Sequence, residues 1–408
     1  MTRPRSIMIL AGEISGDMHA AGLVRALRQT DPTLTFFGMG GPLMRDAGVE
    51  TFYDVKDLAV MGIVEVLKHI FFFRKVFRHM ERLAKEKRPD AVILVDYPGF
   101  NLRFATSAHA MGLKTIYYIC PQVWVWKQGR IPIMVKVLDR LMTIFPFEPK
   151  IFEGTTLKVD FVGHPLVDEI KEALEAPMVP LPWAGEPQIG LLPGSRHAEI
   201  DRILPPMLAA ARLIEDKFPN ASFVIPTPTE EIGAHVRRLA ARLPRVPTRL
   251  NVIQGDARQV FRQSRAALVK SGTATMESAL VGCPTVITYS VAPLTFWIAK
   301  PMLKVRFAGI ANIIANRYVC PEVLQFDVTP EALAKALIPL LTDTPERKAM
   351  LEGFAEVRAL LGGGGAAQRA AQVVLEELGD WKQDSGVRIQ TSEIVSAQHK
   401  VAADVPGG

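Results

Sequence analysis

One pattern occurs twice in this 408-residue chain and limits its fold more than any other feature. Ser6-Ile-Met-Ile-Leu-Ala-Gly-Glu-Ile-Ser-Gly-Asp17 runs from an apolar stretch into a glycine turn, and a helix-like stretch, His19–Leu27, follows. Gln188-Ile-Gly-Leu-Leu-Pro-Gly-Ser-Arg196 repeats the plan, ahead of helix-like Glu199–Ile214. An apolar strand, a glycine turn and an amphipathic helix open a parallel α/β domain, because parallel strands need a helical crossover. Further apolar runs predict strands at 35–38, 91–95 and 115–119 in the first half, and at 222–226, 250–253, 266–269 and 285–288 in the second. Strands alternating with helices imply parallel sheets covered on both faces.

Each opening begins its own Rossmann-like, doubly wound domain, expected at residues 1–170 and 186–345. The break falls where Pro177, Pro180, Pro182, Trp183 and Pro187 crowd together. Gly362–Gly365 interrupts the chain again before a predicted helix, 366–378. After Gly379 the composition turns polar, and 380–408 reads as a disordered tail.

Composition narrows the class. With 49% hydrophobic and 22% charged residues the chain is neither disordered nor fibrous. Three cysteines, an odd and small number, fit a reducing compartment without a disulfide framework, and no Cys/His spacing suggests zinc. The uncharged stretch Ser278–Ala299 is long enough to span a bilayer. Gly282, Pro284 and Pro293 punctuate it, and Thr285–Tyr289 reads as a buried strand.

No GxGxxG or GxxxxGK[ST] spacing occurs, which argues against a nicotinamide enzyme and a P-loop NTPase. Leu192-Pro-Gly-Ser-Arg196 is more informative. It places Ser195, Arg196 and free backbone N–H groups at a helix N-terminus, an anion site where Arg can grip phosphate with two hydrogen bonds. The plain alternative is an N-cap with Arg196 in a surface ion pair. Val269-Lys-Ser-Gly-Thr-Ala-Thr-Met-Glu-Ser278 ends a strand in small hydroxyl residues, with Glu277 in the next helix. Such a turn can meet a phosphate, and a carboxylate can accept both ribose hydroxyls. Helix capping by Ser271 or Thr273 is the alternative. In Val95-Asp96-Tyr-Pro-Gly-Phe-Asn101, Asp96 ends a strand on the edge where open α/β sheets bind ligands. Asp96 is a candidate general base or metal ligand, and Glu13, Asp17 and His19 would face the same crevice. An Asx-turn for Asp96 and N-capping for Asp17 are the structural alternatives.

The formal net charge is +6, and residues 68–88 carry all of it, with eight Lys/Arg against two Glu. In Val64–Arg88 an apolar stripe, Val66, Ile70, Phe73, Phe77 and Met80, lies among Lys68, Arg74, Lys75, Arg78 and further cations. Phe71 and Phe72 fall off the stripe, so the helix has more aromatic surface than one buried face needs. By itself this reads as a core-packing helix with a solvated basic face. A helix of this composition can also lie in a membrane interface. The clustering does not resemble a nucleic-acid reading motif, so nucleic acid is not expected as a partner.

Together these motifs resemble one family. AGEISGDMHAAGL, GMGGPLMRDAGVE, MGIVEVL, VDYPGFNLRFA, CPQVWVWKQGRI, DRLMTIFPFE, VGHPL, LLPGSRHAEI, KSGTATMESAL and ANIIANR–VCPEVLQ, in order from about residue 7 to 326, are similar to the lipid-A-disaccharide synthases. The resemblance implies a GT-B glycosyltransferase: two Rossmann-like domains facing a cleft, with the last helix crossing back to the first. It implies condensation of UDP-2,3-diacylglucosamine with 2,3-diacylglucosamine 1-phosphate (lipid X) to a β-1,6-linked disaccharide, with UDP released. It further implies a peripheral protein on the cytoplasmic face of the inner membrane, without a cofactor or metal. Asp96 matches the family's proposed catalytic aspartate, with His19 and Asp17 as fallbacks. Glu277 would hold the ribose, and Asn312 and Asn316 would lie at the nucleotide. Ser195, Arg196, Ser271, Gly272 and Thr273 would line the phosphates, with Glu13, Ser15 and Gly16 across the cleft. With acylated substrates, Phe71, Phe72 and Phe73 would enter lipid while Arg74, Lys75 and Arg78 hold an anionic surface. Another GT-B UDP-sugar enzyme (a 2-epimerase or a cell-wall glycosyltransferase) or a non-enzymatic, membrane-associated nucleotide-binding protein remain the alternatives.

Overall fold

The long apolar runs form the middle strands of two sheets, because a parallel strand covered on both faces needs apolar side chains on both. A computed structural model describes residues 5–58, 63–299 and 305–379, without the side chains of 63–70 and 298–299. The expected tail, 380–408, lies outside the described residues. Among the described residues, one sheet holds β1 (Ser6–Ala11), β2 (Thr35–Met39), β3 (Val49–Tyr53), β4 (Ala91–Val95), β5 (Thr115–Tyr118), β6 (Arg140–Thr143) and β7 (Lys158–Phe161). Their spatial order is β3-β2-β1-β4-β5-β6-β7, with every pairing parallel.

The second sheet holds β8 (Gln188–Leu192), β9 (Ser222–Thr227), β10 (Leu250–Gln254), β11 (Ala266–Lys270), β12 (Thr285–Tyr289) and β13 (Glu322–Leu324). Its order is β10-β9-β8-β11-β12-β13, again all parallel. In both sheets the winding reverses beside the opening strand, between β1 and β4 and between β8 and β11. Such a reversal leaves a crevice at the strands' carboxyl ends.

The strands that the sequence did not announce are β3, β6, β7 and β13. Three of them are sheet edges and β6 lies next to one. VETFY, KVDF and EVL mix charge with apolar residues because edge strands meet solvent on one side, whereas RLMT is buried after Arg140 but too short an apolar run to stand out. The uncharged stretch Ser278–Ala299 divides into a helix end, β12 and the helix Pro293–Ala299. No helix of the described residues is long and apolar enough to cross a membrane.

Two helices tie the halves together. Leu166–Glu175 follows the first sheet, and its Glu169 meets Arg258 of the second half at 2.6 Å. Ala366–Glu377 returns to the first half, where Ala367 packs beside Gly22 of the helix Ile14–Thr30. Arg140 fixes the far end of that returning helix, with Nη2 3.1 Å from Glu376 while its Nε holds Asp160 at 2.6 Å. Asp168 caps the near end by accepting from Gly365 N (2.7 Å) and Ala366 N (3.2 Å). A carboxylate there satisfies N–H groups that have no partner inside their own helix.

Candidate active site

At the β1/β4 reversal, Ala11 pairs with Val95, which brings Glu13 and Asp96 to one crevice. Asp96 and Tyr97 are consecutive left-handed residues, with φ of 46° and 48°. Neither is glycine, and Asp tolerates this conformation better than most residues. The turn is held from below. The Asp96 carbonyl accepts from Tyr117 Oη at 2.6 Å and from Asn101 Nδ2 at 2.7 Å. Asn101, fully buried, also donates to the carbonyls of Leu10 (3.2 Å) and Val95 (3.1 Å), joining both central strands to the turn. The Tyr97 ring occupies the space a Cβ at Gly12 would need. Burial raises the Asp96 carboxyl to about 6, and the nearby Glu13 charge adds to the effect. Ser15 is exposed at the start of the Ile14–Thr30 helix, and Gly16 is buried against Ala11.

The two fallback bases separate. Asp17 is 2% exposed and its oxygens accept from Gly41 N, Met44 N and Leu43 N at 2.7, 3.0 and 3.0 Å. It caps the short helix Pro42–Asp46, which corrects its assignment as a base: both of its oxygens are turned to backbone. The capping alternative held, though for a neighbouring helix. His19 is half-buried, and burial pushes its pKa down to about 4. His164 stands close by, pushed down to about 3 by burial and then by His19. Its Nδ1 accepts from Leu166 N at 3.1 Å, so the proton of the neutral ring is on Nε2.

The second sheet supplies an anion-binding edge at its own reversal. Leu192 of β8 pairs with Val269 of β11, so the Pro193–Arg196 and Ser271–Gly272 turns lie side by side. Each turn feeds a helix N-terminus, His197–Lys217 and Thr273–Val281, whose first N–H groups favour an anion. Ser195 and Thr273 are exposed. Arg196 is 76% exposed and 3.5 Å from Glu199. Ser271 Oγ donates to the Ala308 carbonyl at 2.7 Å, and Gly272 precedes the helix. Glu277 Oε1 accepts from Arg258 Nε at 3.0 Å, and burial raises its pKa.

Of the two nucleotide contacts expected from the resemblance, Asn312 is taken up by hydrogen bonds within the fold. Asn312 is fully buried. Its Nδ2 donates to the Cys320 carbonyl (2.9 Å) and Glu322 Oε1 (2.7 Å), and its Oδ1 accepts from Val319 N and Cys320 N (both 2.8 Å). All four capacities of the amide are used inside the fold. Asn316 is exposed and ends the helix Ile310–Ala315 in a left-handed C-cap, φ 52°.

The aromatic, basic helix spans Ile63–Lys87. Of its expected stripe, Val66 and Ile70 lie outside the described side chains, as does Lys68. Met80 is buried, and Phe73 and Phe77 are half-buried. The three phenylalanines diverge. Phe71 is 74% exposed, whereas Phe72 meets Tyr53 edge-on with ring centres 6.2 Å apart. Arg74, Lys75 and Arg78 are exposed.

Sequence reasoning missed Lys270, Asn101, Tyr117 and His164. Lys270 Nζ is 3.0 Å from Glu199 and 5.5 Å from the Tyr289 ring centre, between the two turns. Its signal was a lysine closing an otherwise apolar strand. Asn101 and Tyr117 signal only as polar groups on faces that the pattern buries. Among the described residues no three His, Cys, Asp or Glu side chains converge as a metal site.

Two doubly wound sheets with a last helix returned to the first define the GT-B class. Solved structures of this fold include the UDP-GlcNAc 2-epimerase of Neisseria meningitidis, with a TM-score of 0.63 and 15% identity, covering 91% of this chain and 100% of that one. MurG of Acinetobacter baumannii has a TM-score of 0.55 and 16% identity, covering 91% and 100%. At these identities the likeness is one of fold. The sequence profile of the lipid-A-disaccharide synthetase family matches residues 7–374. The lipid-A-disaccharide synthase of Trichlorobacter lovleyi is 41% identical over 91% of this chain and 97% of its own length. That of Geobacter metallireducens is 39% identical over 92% and 98%. The chain belongs to the lipid-A-disaccharide synthetase family. It is therefore an enzyme, a glycosyltransferase of lipid A disaccharide synthesis, which decides against the epimerase and non-enzymatic alternatives.

Proposed function

We propose that this enzyme transfers 2,3-diacylglucosamine from its UDP ester to the 6-hydroxyl of 2,3-diacylglucosamine 1-phosphate (lipid X), with inversion at the anomeric carbon. The observation that carries the reading is Asp96: a carboxylate at the β1/β4 reversal, on a clamped turn, with a pKa of about 6. In the GT-B arrangement the two carboxyl edges border one cleft. The acceptor oxygen forms its bond to the anomeric carbon as the bond from that carbon to the UDP β-phosphate oxygen breaks. Asp96 takes the hydroxyl proton. A base whose pKa lies just below working pH is ionised and still basic enough to act. His19, at about 4, is the weaker base. The charge developing on UDP is met by Arg196, Lys270 and the two helix N-termini of the second sheet. Glu277, braced by Arg258, receives the ribose.

The same reading makes the enzyme peripheral on the cytoplasmic face of the inner membrane. Exposed Phe71 beside Arg74, Lys75 and Arg78 supports contact with an anionic surface. Product analysis tests the substrate assignment: diacylated UDP-glucosamine with lipid X should yield disaccharide and UDP. Turnover of UDP-N-acetylglucosamine with no turnover of the diacylated donor would overturn it.

A further inference from the structure

A groove of about 640 Å³ lies between the helices Ile63–Lys87 and Pro98–Ala110. That volume is in the usual range for a small-molecule site, about 300–1,000 Å³. Its floor is aromatic: Phe77 packs edge-on against Phe100 with ring centres 5.3 Å apart, and Phe73 extends the floor. Its rim is cationic, with Arg74 and Arg78 one turn apart on one helix and Arg103 on the other, and a single carboxylate, Glu81. All three arginines are exposed, and among the described residues none is in an ion pair. Tyr97, the residue after Asp96, also lines the groove. Gly99 lines it too, and a Cβ there would meet nothing within 4 Å.

A phenylalanine floor under unpaired guanidiniums fits an amphiphile with an alkyl chain and an anionic head. We infer that this groove seats an acyl chain of the acceptor, with Arg74, Arg78 and Arg103 taking the acceptor's phosphate. The inference rests on the proposed transfer reaction and deepens it. The donor's phosphates are assigned to the turns of the second sheet, so the acceptor's phosphate is the one left for a cationic rim in the first half. Tyr97 joins this groove directly to the base, so an acceptor anchored in it presents its sugar at Asp96 and its chain away from it.

Gly99→Phe tests the chain's seat. The substitution enters open space in the first helical turn, so folding is kept, with an unchanged melting temperature as the check. Steady-state kinetics would use acceptors of different acyl length in detergent micelles, without bilayers. The variant should raise KM for the long-chain acceptor about 10-fold or more, with the difference shrinking as the chain shortens, and leave the donor KM unchanged. Arg103→Ala should raise KM for the phosphorylated acceptor about 10-fold and leave that for the dephosphorylated sugar lipid alone. Equal effects on both acceptors, or a Gly99→Phe enzyme with wild-type acceptor kinetics, would overturn the inference. So would a Gly99→Phe enzyme that loses only binding to anionic phospholipid vesicles, because the groove would then belong to bilayer lipid. If the wild-type enzyme fails to turn over diacylated substrates at all, the proposed reaction fails instead.

Discussion

Asp96 and Tyr97 occupy left-handed backbone without the freedom of glycine, at a cost of about 1–3 kcal/mol each. Hydrogen bonds from Tyr117 and Asn101 to the Asp96 carbonyl hold the turn against that cost. Burial and Glu13 raise the carboxyl to about 6, and a base works only when ionised. Activity should therefore be full above that value and fall as pH drops through about 6, read as the acidic limb of kcat/KM. Glu13→Gln removes the neighbouring charge and should move that limb to lower pH; an unmoved limb would mean that another group titrates. Asp17 differs at the same scale. Asp17→Ala leaves three backbone N–H groups without their acceptor, so it should lower stability by about 1–3 kcal/mol while kcat of the folded enzyme stays within a few-fold of wild type. A loss of about 10²-fold or more in kcat with unchanged stability would return Asp17 to the chemistry.

At the scale of elements, the sequence was readable where burial was complete. β4, and β1 from Ile7 onward, are wholly buried and appear as uninterrupted apolar runs, and both glycine turns stand where the pattern places them. The edge strands β3, β7 and β13 were silent, because half-exposed strands carry charge and lose the run that marks a strand. Polar side chains fared differently again. Asn312 looked like a ligand contact but pins the 319–322 segment to its own helix. Nothing in one sequence separates a buried amide that binds backbone from one that binds a nucleotide. Asn312→Ala should cost about 2–4 kcal/mol, measured by denaturant unfolding, through loss of buried hydrogen bonds. Phe71, Phe72 and Phe73 could not be told apart by type, only by the angle at which each leaves the helix. Phe71→Ser should weaken salt-sensitive sedimentation with anionic liposomes, whereas intact binding would remove this helix as the anchor.

For the whole molecule, the two reversals divide the labour: a carboxylate at the first sheet's edge, cations and helix N-termini at the second's. The returning helix matters to both. Asp168 caps it and Arg140 holds its far end, while Ala370, Ala371 and Val374 are buried in the main core. The most direct measurement at this scale separates chemistry from nucleotide binding. Asp96→Asn removes the base, keeps the shape and suits the left-handed turn. Because the folded carboxyl is raised to about 6, its ionised form opposes folding above that pH, so the variant should melt no lower than wild type at neutral pH. With UDP-2,3-diacylglucosamine and lipid X its kcat should fall about 10²–10⁴-fold, while the Kd for UDP stays unchanged. Wild-type turnover by Asp96→Asn, with UDP still bound, would contradict Asp96 as the base.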